Sequence, residues 1–149
     1  MAAQIKGTET VLLAEDSDDD VFFMRRAWKS AEVTNPLQVV RDGQQAIDYI
    51  AGTGPYADRV RFPIPPVIIL DLKLPLKSGH EVLQWIRSNP ACKNSIVIFM
   101  TSSKEHSDVK KAYDYGLNAY LVKPSPGHEL VEMLRAFKTF WLRFNVLAV

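Results

Sequence analysis

Four places in the chain put a reactive side chain directly after a short apolar run. Glu15 and Asp16 follow Val11–Ala14. Asp71 follows Val67–Leu70. Thr101, with Ser102 and Ser103, closes the run Ile96–Met100, and Lys123 with Pro124 closes Ala119–Val122. Carboxylates brought together repel, so a proton or a cation must sit among them. A few hard oxygen ligands suit Mg²⁺, which keeps waters and commonly shares its shell with phosphate. An Asp can accept a phosphoryl group as an acyl phosphate. Such a transfer needs charge neutralisation and positioning more than covalent help. A metal on one side and the Lys123 ammonium on the other would supply the neutralisation, and the Thr101 hydroxyl can donate to a phosphoryl oxygen. No catalytic His or Cys is required.

These residues meet only if the elements carrying them form a parallel sheet. Val11–Ala14, Val67–Leu70 and Ile96–Met100 are continuously apolar, as expected of strands buried on both faces. Leu37–Val40 and Ala119–Val122 are weaker runs of the same kind. Between them lie helical spacings. Val21, Met24, Ala27, Trp28 and Ala31 form one face, preceded by Asp18, Asp19 and Asp20, which suit a helix start. Asp42 can cap a helix through Ala46, Ile47 and Ile50 that stops at Gly52. Glu81–Ser88 is helical before Pro90, Val109–Leu117 ends near Gly116, and a last helix opens around Pro126. The β-α unit repeats five times. This predicts an α/β fold: a five-stranded parallel, doubly wound sheet of flavodoxin-like type in the order 2-1-3-4-5, its site beyond the carboxyl ends of the strands. The stretch Gly52–Pro66, rich in Pro and Gly, reads as a loop insertion.

Composition narrows the function classes. The 149 residues suit one domain, 1–149, with its core over about 10–140 and a short aromatic C-terminal extension. A net charge of +1 offers no field for nucleic acid or anionic lipid, so neither DNA nor a membrane is expected as partner. One cysteine, Cys92, precludes an intrachain disulfide and fits a reducing, cytoplasmic setting. The N-terminus lacks a secretory pattern, and no apolar stretch approaches the roughly 18–20 residues of a membrane span.

The segments LLAED, LDLKLPLKSG, IFMTSS and AYLVKP, in this order and spacing, resemble the receiver domain of two-component response regulators from about Thr10 to Phe140. The resemblance implies that Asp71 is the phosphoacceptor. It implies that Glu15, Asp16 and the backbone carbonyl of Lys73 join Asp71 around Mg²⁺. Thr101 would be the switch hydroxyl and Lys123 the phosphate-binding ammonium. Tyr120 would be the aromatic that turns inward on activation, and Pro124 the proline that typically follows a cis bond. It also implies a sensor histidine kinase as donor and a downstream protein or phosphotransfer partner. The long Gly52–Pro66 segment and aromatic C-terminus are similar to small single-domain regulators paired with bacterial phytochromes, so a phytochrome-type kinase is the expected partner. The expected output is altered protein–protein interaction, since only about ten residues follow the fold and a DNA-binding segment would not fit in them.

Two positions depart from the commonest receiver pattern: Glu15 stands where Asp is most frequent, and Lys73 where Asn is common. Lys73 and Ser103 are expected to tune the acyl-phosphate lifetime. A haloacid dehalogenase-type phosphatase would need a second acid at the Lys73 position. A flavodoxin-like cofactor binder would find EDSDDD repelling its phosphate. A degenerate, unphosphorylated receiver is opposed by the full residue set. Asp18–Asp20 are read as helix-start electrostatics, and the dispersed His80, His106 and His128 as surface residues. Phe140 and Phe144, in a C-terminal run too aromatic for one helix face to hide, are expected to pack in a homodimer or on a partner. The competing reading folds that run back over the domain's own core.

Overall fold

The computed structural model describes residues 2–148. In chain order the elements are β1 (Ala2–Gln4), β2 (Val11–Ala14), α1 (Asp18–Ser30), β3 (Leu37–Val40), α2 (Gly43–Ala51), β4 (Val67–Leu70), α3 (Gly79–Ser88), β5 (Ile96–Thr101), α4 (His106–Asp114), β6 (Ala119–Val122), α5 (His128–Phe137), a π-helical segment (Lys138–Phe144) and β7 (Val146–Ala148). The main sheet is parallel in the order β3-β2-β4-β5-β6. Counting only its own strands, this is the expected 2-1-3-4-5 order.

The alternation of each central strand divides the core. Leu12, Ala14, Ile68, Leu70, Val97 and Phe99 face one way and pack with Ala46, Tyr49, Val82, Leu83, Ile86 and Ala112 of α2, α3 and α4. Val11, Leu13, Val67, Ile69, Ile98 and Met100 face the other and pack with Met24, Ala27 and Trp28 of α1 and Leu130, Leu134 and Phe137 of α5. Both faces are therefore covered, and the strands need no polar side. The caps hold the helices where the spacing placed them. Ser17 accepts from Asp20 N at 3.2 Å, and Asp42 from Gln45 N at 2.7 Å. Gly52 ends α2 with φ +72°, a left-handed stop that favours glycine.

Three features differ from the sequence reading. First, β1 and β7 pair antiparallel, Ala3 opposite Leu147, so the two ends of the described chain form a ribbon. Second, the Gly52–Pro66 segment is a loop insertion as expected, but it packs onto the domain through contacts its sequence did not signal. Tyr56 and Phe62 pack on Tyr49 with ring centroids at 5.1 and 5.8 Å, and a 3₁₀ turn spans Gly54–Tyr56. Arg59 donates to Tyr49 O at 2.7 Å, to Phe62 O at 3.0 Å and to Ile50 O, so one guanidinium serves carbonyls at the end of α2. Third, the bond before Pro124 is not cis, since the described residues contain no cis peptide. An X–Pro amide still prefers trans by about 0.5–1 kcal/mol.

The aromatic C-terminus divides its side chains. Phe137 and Leu142 are buried, and Trp141 and Leu147 pack partly against the α1/α5 core. Phe140 and Phe144 remain 59% and 61% exposed. Among the described residues no helix is long and apolar enough to cross a membrane.

Candidate functional site

Register brings the acids together. Ala14 of β2 lies opposite Leu70 of β4, so the residues after them, Glu15 and Asp71, leave neighbouring strands side by side. Asp71 N donates to Ala14 O at 3.1 Å and Glu15 N to Val40 O at 3.0 Å, which extends the ladder through both positions. The turn after Asp71 is held from α3. Gly79 N donates to Leu72 O at 2.8 Å, and a Cβ on Gly79 would stand 2.6 Å from Asp71 O. Only glycine lets α3 begin so close to the Asp71 backbone.

Glu15, Asp16 and Asp71 each offer an oxygen, all lying within 4.8 Å of one another. Glu15 and Asp71 are buried and Asp16 is exposed, so the group opens to solvent on one side. Lys123 reaches it from the far strand. Lys123 N donates to Thr101 O at 2.8 Å, which fixes the start of the side chain. Its Nζ lies 2.6 Å from Glu15 Oε1, 2.8 Å from Asp71 Oδ2 and 2.7 Å from Asp20 Oδ2. Three carboxylates thus surround one ammonium, and Asp16 adds a fourth acid beside them. That imbalance, with the oxygen spacing, fits a divalent cation held by Glu15, Asp16 and Asp71.

The titrations follow from this packing. Burial is the main influence on Glu15 and raises its carboxyl pKa; Asp71 pushes the same way and Lys123 opposes. Burial alone would depress the Lys123 ammonium. Hydrogen bonds to Asp20, Asp71 and Glu15 outweigh it and hold the pKa above the ordinary lysine value. Lys123 therefore stays charged at neutral pH.

The remaining sequence candidates border this group. Thr101 is 1% exposed, and its Oγ1 accepts from Ser103 N at 3.4 Å. Lys73 is exposed and lines a surface depression with Ser103 and Asp108. Its N faces Asp71 Oδ1 at 3.4 Å. Ser103 Oγ donates to Asp108 Oδ2 at 2.6 Å. Tyr120 is half-buried, its ring 5.9 Å from that of Phe99 and its hydroxyl donating to Ser103 O at 2.9 Å. Phe140 and Phe144 are remote in sequence and belong to the C-terminal surface rather than this group. Sequence reading missed Asp20. Its place in the third position of a helix gave a sufficient electrostatic reason for an acid, and nothing local signalled a partner 103 residues away.

The family model described as the response regulator receiver domain matches residues 11–135. The response regulator Rcp1 of Synechocystis sp. is 33% identical over 142 residues, 95% of each chain. A structure of Rcp1 in a Mn²⁺-bound form superposes with TM-score 0.83, covering 95% of this chain and 99% of that one. RPA3017, a response regulator in red light signalling of R. palustris, is 35% identical with TM-score 0.89 at the same coverage. The phosphorylated cyanobacterial phytochrome response regulator RcpA is 31% identical with TM-score 0.86, again at that coverage.

Proposed function

The chain belongs to the response regulator receiver domain family, whose members are phosphoacceptor switches working with histidine kinases, and on that premise we propose that Asp71 is its phosphoacceptor. The observation that carries the reading is the approach of Lys123 Nζ to Asp71 Oδ2, 2.8 Å, beside the Glu15–Asp16–Asp71 oxygens. An Asp71 oxygen attacks phosphorus, the O–P bond forms as the P–N bond of a kinase phosphohistidine breaks, and the imidazole leaves with its electron pair. Glu15, Asp16, Asp71 and the Lys73 carbonyl would hold Mg²⁺, which when bound would supply charge neutralisation at the phosphoryl group. Lys123 stays within reach of Asp71 and binds a phosphoryl oxygen from the opposite side. Thr101 exchanges its contact with Ser103 N for a hydrogen bond to another phosphoryl oxygen. That pull moves the Thr101–Ser103 backbone, and Tyr120, bonded to Ser103 O, moves with it. The chain thus catalyses only its own phosphorylation and dephosphorylation, with Lys73 and Ser103 setting how long the acyl phosphate lasts.

The finer reading is a single-domain cytoplasmic regulator that signals by altered protein contacts, to a downstream protein or phosphotransfer partner, without DNA or membrane binding. Similarity to a phytochrome response regulator and to a regulator in red light signalling supports a bacterial phytochrome as the donor kinase. Exposed Phe140 and Phe144 support pairing with a second copy of the chain. Incubation with autophosphorylated phytochrome-type kinase, beside an unrelated kinase, tests the donor. Rapid transfer from the former, lost in Asp71→Asn, is expected. Equal transfer from both would remove the phytochrome assignment.

A further inference from the structure

Asp20 has a partner that its neighbours lack. Asp18 pairs with Arg41 on the outside of the fold, whereas Asp20 turns inward to Lys123. Its backbone is pinned by the Ser17 cap, so the carboxylate is presented from a fixed helix turn. It also stands outside the Glu15–Asp16–Asp71 group.

This matters because two cations need the same oxygens. An ammonium has three donors, and Lys123 directs them to Glu15, Asp71 and Asp20. A metal entering among Glu15, Asp16 and Asp71 meets the Lys123 ammonium at Glu15 and Asp71, where the two charges repel. Asp20 is the one carboxylate that can keep the lysine paired without serving the metal. A cavity of about 70 Å³ beside it, between α1 and α5, is bordered by Phe23, Met24, Pro124 and Leu130. It gives the lysine stem room to shift.

We propose that Asp20 is a positioning residue that draws the Lys123 ammonium toward α1 and off Glu15, so that a divalent cation can enter while the lysine stays beside Asp71. The inference rests on the metal-dependent phosphoacceptor reading above. In this role Asp20 touches neither metal nor phosphoryl group and acts only through Lys123.

The test measures Mn²⁺ affinity of the intact chain by the EPR signal of free Mn²⁺. A half-exposed pair of this kind is worth at most about a factor of five in an equilibrium. Asp20→Asn is therefore expected to weaken Mn²⁺ by roughly threefold to fivefold. Asp20→Glu is expected to restore part of the loss. In a Lys123→Met background the Asp20→Asn change is expected to have no effect, since no ammonium remains to be drawn away. The same loss in both backgrounds would mean that Asp20 acts by its own charge on the metal, which overturns the proposal, as would no loss in the wild type. With acetyl phosphate as donor, Asp20→Asn is expected to raise the metal concentration for half-maximal phosphorylation and leave the rate at saturating metal unchanged. A fall in the saturated rate with unchanged metal dependence also overturns it. Glu15→Gln with Asp16→Asn reports on the underlying reading separately. If that double variant binds Mn²⁺ as the wild type does, the cation site itself is misassigned.

Discussion

Lys123→Met removes the one cation from the acidic group while keeping the length of the stem. The side chain of Lys123 is 20% exposed, that of Glu15 4% and that of Asp71 10%. Stripping the partner from a buried charge costs about 3–5 kcal/mol. Asp20 is 41% exposed and adds at most about 1 kcal/mol. The group is open at Asp16, so a proton or salt cation relieves part of the repulsion, and the lysine's own desolvation cost disappears. The balance is a loss of about 3 kcal/mol, which for this size lowers Tm by roughly 6–12 °C. The assay is thermal unfolding with EDTA and again with Mg²⁺. A cation at 100 times its Kd stabilises by about 2.7 kcal/mol, and in the variant it replaces the missing charge without competition. The wild type also gains, but less, because Lys123 competes for the same oxygens, so the gap should narrow with Mg²⁺. An equal gap in both conditions would refute the account of Glu15, Asp16 and Asp71 as one cation site shared with Lys123.

Other perturbations probe different parts of the argument. Arg59→Ala leaves the α2 carbonyls of Tyr49 and Ile50 without their cation and frees the Tyr56–Phe62 lid; a loss of about 2–3 kcal/mol in chemical denaturation is expected, and a change under about 0.5 would contradict it. In the metal-free protein Glu15 should take up its proton above its ordinary 4.5, because burial favours the neutral acid. Between 4.5 and the raised pKa the folded chain then binds more protons than the unfolded one, so this group's contribution to stability falls as pH rises through that window. The step should vanish in Glu15→Gln and appears in denaturation midpoints measured across pH. Phe140→Ser with Phe144→Ser should shift sedimentation from dimer to monomer and leave the circular dichroism of the fold unchanged, since both rings are exposed on the single chain; an unchanged mass would remove the C-terminal dimer.

Much of this molecule is legible in its sequence. Continuous apolar runs such as Val67–Leu70 suit strands buried on both faces, and three of these with two weaker runs, alternating with amphipathic helices, leave few topologies. Once the order is set, the residue after each strand is placed, which is why Glu15, Asp71, Thr101 and Lys123 could be grouped from sequence. What escaped was non-local or side-chain specific. The β1–β7 ribbon joins two three-residue segments from opposite ends, too short to carry a period. Arg59 lies in a stretch whose Pro and Gly content signals irregularity and says nothing of a guanidinium reaching back to α2. The C-terminal aromatics divided between core and surface because the π-helical turn after α5 rotates Leu142 inward and Phe140 and Phe144 outward, a geometry that ordinary helical spacing does not predict.

The most direct measurement is the intact mass of the chain after incubation with acetyl phosphate and Mg²⁺. One added phosphoryl group, absent in Asp71→Asn and absent when EDTA replaces the metal, is the predicted result. An unmodified wild-type chain, or a phosphoryl group that persists in Asp71→Asn, would contradict the assignment of Asp71 as the reacting side chain.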